Sequence, residues 1–214
     1  MAKRSNWSDD YWLLIMQIYL YKPVGVKPLY NRMMVNLGIE LHIHPSVLHE
    51  KIQQLATLDT PRIERLWNAY SGNPQKLSRA VKLLREMNGF HDAGAFYDGV
   101  DVVETFESDF KPIIPSSPIS PVMLILVLDL YFRLTPATMV SATPEIQELA
   151  RMMKITTTDI IEIMDIYQHC DPYLNRRDVI FSEWLIACQK IWSQYSGDPI
   201  KLADFAEELK AYFS

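Results

Sequence analysis

One eleven-residue pattern occurs twice, and it limits the folds open to this chain. Residues 67–77 read Trp-Asn-Ala-Tyr-Ser-Gly-Asn-Pro-Gln-Lys-Leu, and residues 192–202 read Trp-Ser-Gln-Tyr-Ser-Gly-Asp-Pro-Ile-Lys-Leu. Each reads as the end of one helix joined to the start of the next. Trp67 and Tyr70, like Trp192 and Tyr195, stand three apart and share a helix face. Gly72 and Gly197 are expected to end that helix in left-handed backbone. Asn73 and Asp198 then cap the following helix, with Pro74 and Pro199 at its first position, where no amide hydrogen is needed. A chain that repeats such a corner is expected to be built from two related halves.

The first half supplies five helices in this reading. Ser8 caps a first helix that runs to about Tyr21, with Trp12, Ile15, Met16 and Tyr19 as its apolar stripe. Lys22-Pro23-Val24-Gly25 breaks it. Pro28 starts a second helix carrying Leu29, Met33 and Leu37, and Pro45 starts a third carrying Leu48, Ile52 and Leu55. Thr60-Pro61 opens a fourth, and Asn73-Pro74 opens a fifth that runs to about Met87.

The second half repeats this plan at an offset of 112 residues: Tyr19 falls on Tyr131, Leu37 on Leu149, Ile43 on Ile155, Leu48 on Ile160, Ile52 on Met164 and Asp59 on Asp171. From Trp67 onward the offset is 125, so the second copy carries a 13-residue insertion around positions 173–185. The expected organisation is a first helical repeat at 1–90, a connector at 91–120 and a second repeat at 121–214. The connector is acidic and ends in Pro112, Pro115 and Pro118. Its Phe96, Tyr97, Phe106 and Phe110 are too apolar for a solvated tether. It is therefore expected to pack between the halves, with a short strand near 100–105. The fold class is all-α: two homologous five-helix units joined by an acidic, Pro-ended connector.

Bulk properties exclude several classes. Cys170 and Cys188 cannot make a disulfide framework and are read as reduced thiols of a cytoplasmic protein. The apolar run at 121–132 falls short of the ~20 residues that a bilayer demands, so no membrane partner is expected. The net charge of −5 is unevenly spread. Residues 1–90 hold 12 Lys+Arg against 7 Asp+Glu, whereas 121–214 hold 8 against 13. Nucleic acid therefore stays open as a partner of the first half alone.

In the second half, residues 143–164 read as a helix-turn-helix. Ala150 is the small residue at the helix contact, Ile155 the buried plug of the turn, and Thr156 the cap of the second helix. Ile160, Ile163 and Met164 form its inward stripe. Gly38 and Ile43 hold the corresponding places in the first half. Together with Leu-Asp-Leu-Tyr-Phe at 128–132, Pro144-Glu145 leading to Leu149, Asp171-Pro172, and the Trp192, Pro199 and Leu202 corner, this pattern resembles the helical domain found in front of bacterial HNH-type endonucleases. The resemblance covers about residues 121–205 and reaches the first half through the repeat. It implies a DNA-associated accompanying role. No His-His pair with a downstream Asn or His stands in nuclease spacing, so cleavage chemistry does not carry over.

Direct readout would need outward Arg, Lys, Asn or Gln. The second-half helix offers Asp159, Glu162 and Asp165 instead, which repel phosphate. The first-half helix at 45–58 offers Ser46, His49, Lys51, Gln53 and Gln54, followed by Arg62 and Arg65 and by Arg79, Lys82 and Arg85 on the fifth helix. These ten are the candidate nucleic-acid contacts; an ordinary solvated face is the alternative. His42, His44 and His49 lack partners at metal-ligand spacing, so no metal is expected. His169, Cys170 and Asp171 diverge around a helix end and cannot form a relay. No cofactor, small-molecule substrate or enzymatic activity is expected. Two functions follow as expectations: a DNA-associated adaptor or regulator with docking or homodimerisation through the acidic half, or a pure protein-interaction or scaffold module.

Overall fold

The computed structural model describes residues 7–87, 90, 106–176 and 181–214. All regular structure in them is helical, eleven α-helices and two short 3-10 turns, with no strand. The short strand expected near 100–105 lies outside the described residues, as does most of the expected connector. The chain divides into two compact units, Met1–Glu107 and Ser108–Ser214, so the division falls inside the 91–120 segment.

Unit 1 contains α1 (Trp12–Leu20), α2 (Arg32–Leu41), α3 (Pro45–Ala56), α4 (Pro61–Tyr70) and α5 (Pro74–Glu86). Helix α1 is apolar on nearly every side, as a helix in the middle of a bundle must be. It packs against α3, α4 and α5, and Leu14, Ile15 and Met16 are sealed from solvent. Leu48, Ile52 and Leu55 of α3 meet it, with Ile63, Leu77, Val81 and Leu84 completing the core. The helix starts follow cap chemistry. Asn31, Thr60 and Asn73 accept hydrogen bonds from the backbone N–H groups of Met33, Ile63 and Lys76 at 3.0, 3.3 and 2.9 Å.

Two expectations about starts need correcting. The first helix opens with a 3-10 turn over Asp9–Tyr11 capped by Ser8, and α1 proper begins at Trp12. The second helix does not begin at Pro28. Pro28 accepts the Asn31 N–H in a turn, and Asn31 then caps a helix that starts at Arg32. An Asn with a side chain free to take a backbone N–H is the stronger start signal. The break between α1 and α2 is closed from within by Lys27. Its buried ammonium donates to the Tyr21 carbonyl at 2.8 Å and to the Pro23 carbonyl. Gly25 makes the loop possible by taking a φ of 130°.

Unit 2 contains α7 (Pro121–Arg133), α8 (Pro144–Met153), α9 (Thr157–Cys170), α10 (Leu185–Tyr195) and α11 (Pro199–Lys210), and the single turn α6 (Glu107–Phe110) precedes them. Helix α7 is the counterpart of α1: it is buried from Val122 to Tyr131 and packs against α8, α9, α10 and α11. Its one acidic residue, Asp129, is buried and held by Arg133 at 2.7 Å.

The connections match in detail. Helices α2 and α8 both end at a residue in the left-handed region, His42 (φ 53°, ψ 39°) and Lys154 (φ 59°, ψ 40°). The next residue then donates back into the helix, Ile43 N–H to the Gly38 carbonyl at 2.9 Å and Ile155 N–H to the Ala150 carbonyl at 3.1 Å. Ile43 is buried as a turn plug should be, whereas Ile155 is only half-buried. At the two corners, Asn73 and Asp198 have φ/ψ of −137°/84° and −144°/81°, and each side chain accepts the N–H three residues on. The Tyr19 and Trp67 rings meet edge-on at 5.7 Å and 79°; Tyr131 and Trp192 do so at 5.9 Å and 74°.

The glycines of the corner do something other than expected. Neither Gly72 nor Gly197 has a positive φ. The helices end instead at Ser71 and Ser196 in right-handed backbone, and the Asn73 and Asp198 N–H groups fold back to the Tyr70 and Tyr195 carbonyls. A turn of that kind needs no left-handed residue. A Cβ added at either glycine would meet nothing within 4 Å.

Candidate interaction surfaces

The ten candidate nucleic-acid residues of unit 1 are distributed over α3, α4 and α5, and most already have partners. Lys51 does not point freely outward. Its ammonium lies 5.1 Å from the Trp7 ring and 5.3 Å from the Trp12 ring, and it donates to Gln54 at 3.1 Å. Such a cation is held by its stem and by the ring faces. Arg62 pairs with Asp9 at 2.7 Å, Arg85 makes a two-pronged pair with Glu40 at 2.6 and 2.9 Å, and Lys82 approaches Glu86 at 3.7 Å. Arg65 donates through Nε to the Pro61 carbonyl, Ser46 Oγ lies 2.7 Å from His44 Nδ1, and Gln53 lies 3.4 Å from His49. Arg79 is exposed. Unit 1 therefore brings the basic residues together with carboxylates and rings.

The acidic helix of unit 2 is also committed. Asp159 forms a reciprocal capping box with Thr156, taking the Thr156 N–H at 2.9 Å and its hydroxyl at 2.8 Å. Glu162 accepts the Ser182 hydroxyl at 2.9 Å, and Asp165 pairs with Arg176 at 2.5 Å. Arg176 and Ser182, within the 173–185 stretch, thus lie along the outward face of α9. The same stretch carries the most exposed aromatics among the described residues of the unit, Tyr173 at 95% and Phe181 at 94%.

The turn between α2 and α3 carries a cover that the sequence does not announce. A Cβ built on Gly38 would stand 2.7 Å from the Ile43 carbonyl oxygen and 3.0 Å from the Phe106 ring. Phe106 also meets the His44 ring edge-on at 5.3 Å, and the buried Glu107 carboxylate holds His42 Nδ1 at 2.7 Å. Two residues at the end of the acidic segment therefore close over the start of α3. Their aromatic-acidic character was visible in the sequence; their seat was not, because it depends on a contact more than sixty positions away.

In unit 2 the corner is reinforced by polar anchors. Tyr131 donates to the Asp171 carboxylate at 2.8 Å, and Asp171 also accepts the Tyr173 N–H at 2.9 Å. Burial and this acceptor together push the Tyr131 phenol well above its usual range. Tyr167 is fully buried and donates to the Leu124 carbonyl at 2.9 Å. Cys170 and Cys188 are free thiols. Burial pushes the Cys188 thiol up to about 12 and raises that of Cys170, so neither is poised as a nucleophile. Among the described residues no three His, Cys, Asp or Glu side chains gather as a metal site, and no helix is long and apolar enough to cross a membrane.

No family model matches the chain, and no curated protein or solved structure matches it. The described residues define a class, an all-α protein of two compact units.

Proposed function

We propose that this chain is a non-enzymatic protein-interaction or scaffold module assembled from two related helical units, each with a helix-turn-helix-like pair, α2–α3 and α8–α9. The matching helix ends, left-handed turn residues, caps and Tyr–Trp contacts support the duplication. One observation carries the functional reading: the cation of the first candidate recognition helix and the three acids of the second are held within their own units. Lys51 lies on Trp7 and Trp12, and Asp159, Glu162 and Asp165 serve a cap, a hydroxyl and an arginine. A helix that reads DNA must spend such groups on phosphates and bases.

The second reading is the DNA-associated adaptor that the HNH-endonuclease resemblance implies, working through the basic first half. The excess of cations in residues 1–90 and the exposed Arg79 favour it. Fluorescence anisotropy of a labelled mixed-sequence duplex at ~50 and ~200 mM salt separates the two, because phosphate contacts weaken steeply with salt. The interaction reading expects no binding at either concentration. Binding that falls with salt, and falls again for Arg79→Glu with Lys82→Glu, would replace it with the adaptor.

A further inference from the structure

The Phe106–Glu107 cover of unit 1 occupies a seat at the turn between α2 and α3. Three residues of that turn make the seat, and each meets the occupant differently. Gly38 has no Cβ, and the Phe106 ring comes within 3.0 Å of where one would stand, so the missing side chain leaves a notch for the ring. His44 meets the same ring edge-on at 5.3 Å and 80°. His42 Nδ1 donates to the Glu107 carboxylate at 2.7 Å. That carboxylate is 7% exposed while the His42 side chain is 45% exposed, so the acid is taken out of water against an imidazole that still faces it.

The counterpart turn of unit 2 closes in a more open state. At the 112-residue offset, Ala150 stands for Gly38, Lys154 for His42 and Thr156 for His44. The backbone is the same, with Lys154 left-handed and the Ile155 N–H returned to the Ala150 carbonyl. Yet Lys154 is exposed and Ile155 half-buried, where Ile43 is 5% exposed. The turn therefore holds its shape under less cover, and Phe106 and Glu107 are an addition to it in unit 1. Gly38, His42 and His44 together suit an aromatic ring followed by a carboxylate, a chemistry that the turn itself does not require.

We propose, resting on the interaction reading above, that this seat docks a segment of a protein partner in which an aromatic residue is followed directly by an acidic one. Phe106–Glu107 is then its autoinhibitory occupant. The partner's ring replaces Phe106 in the Gly38 notch beside His44, and its carboxylate replaces Glu107 on His42. A tethered occupant competes at an effective concentration on the order of millimolar, so the seat yields to a partner that brings further contacts of its own. A DNA phosphate could meet His42, but a duplex keeps its rings stacked inside and brings none to the notch.

The test uses the full chain, a fluorescent peptide of residues 103–108, Val-Glu-Thr-Phe-Glu-Ser, and an opened variant carrying Phe106→Ala with Glu107→Gln. The opened variant is expected to bind the peptide about tenfold or more tighter than wild type, because nothing tethered competes for its seat. His42→Ala added to the opened variant should return binding to the wild-type level or below, since the carboxylate loses its donor. A peptide with Phe106→Ala and Glu107→Gln should not bind. Equal affinity for wild type and opened variant, or affinity that survives His42→Ala, places the peptide elsewhere and overturns the proposal. An opened variant that no longer folds, read by circular dichroism, makes the cover part of the core and overturns it too. Labelled duplex is titrated alongside. Absence of both peptide and duplex binding removes this seat and leaves the interaction reading standing, whereas salt-sensitive duplex binding by the opened variant overturns that reading and the proposal with it.

Discussion

Units 1 and 2 use one helical plan and seal it with different materials. In unit 1, among the described residues, the ring contact of the corner tryptophan is Tyr19 on Trp67, and the other core aromatics, Trp7, Tyr11, Trp12 and Phe90, form a separate group. In unit 2 Trp192 meets three rings, Tyr131, Phe132 and Tyr167. The position that holds the buried Leu55 in unit 1 holds Tyr167 in unit 2, which then needs the Leu124 carbonyl for its hydroxyl. The helix pairs differ in the opposite sense. Unit 1 has Gly38, over which Phe106 lies, where unit 2 has Ala150. A shared backbone plan therefore does not dictate where the large side chains sit; each unit fills the space left by its own small ones.

The largest test of this difference is removal of the corner tryptophans. Trp192→Ala is expected to destabilise unit 2 by ~3–5 kcal/mol, and Trp67→Ala to cost unit 1 about 2–3 kcal/mol, since both rings are half-buried but Trp192 has more ring partners. Chemical denaturation fitted with two transitions measures both. Equal losses would erase the distinction between the one-ring and the three-ring corner. Next comes the small-residue site. Gly38→Ala forces a Cβ against the Ile43 carbonyl and Phe106 and should cost about 1.5–3 kcal/mol. The reciprocal Ala150→Gly should cost only about 1 kcal/mol through helix propensity. A harmless Gly38→Ala would mean that Phe106 is not tightly seated.

Tyr131→Phe removes the donor to Asp171 and is expected to cost ~1–2 kcal/mol, read as a shift of the second transition alone. The alkaline side of the stability profile sharpens the contrast further. Cys170, Cys188, Tyr131, Tyr167 and Tyr195 in unit 2 all have raised pKa values, against Tyr11 in unit 1. Groups kept neutral by folding ionise more easily once unfolded. Their contribution is whole below the ordinary thiol and phenol range and is lost as pH climbs through it. Unit 2 should weaken first, by about 1 kcal/mol near pH ~10 from Cys188 alone. Simultaneous loss of both transitions would contradict this. The smallest effect belongs to the corner glycines. With no positive φ and open space around a new Cβ, Gly72→Ala and Gly197→Ala should leave stability unchanged or raise it by about 0.4–1 kcal/mol.

What could be read from the chain followed locality. Asn73-Pro74, Asp198-Pro199 and Thr60-Pro61 act within one turn, so their roles are written in adjacent residues and the structure repeats them. Gly72 misled because a glycine after a helix permits left-handed backbone without requiring it, and Ser71 can close the helix in right-handed backbone. Pro28 misled because it competes with an Asn three residues on. The surface was less legible. Lys51 has the spacing of an outward residue on α3, but its fate depends on Trp7, which reaches it from a distant part of the chain. Asp159 looked like a free acid on a helix face, although Thr156 three residues before it already wrote a capping box. The Phe106–Glu107 cover had no local signal, since Gly38 and His42 receive it across the whole of α3, α4 and α5.

The closeness of the first corner to the residues it locks has a consequence for synthesis. Among the described residues, every buried member of the unit 1 core cluster lies between Trp12 and Phe90. A growing chain that has released residues to Glu107 holds that cluster and the Phe106–Glu107 cover over Gly38 and His42. It can close that cluster while the residues of unit 2 are still being joined, with no foreign strand or helix to wait for. Closure at that stage would spare the chain from presenting both sets of large apolar side chains to water at once.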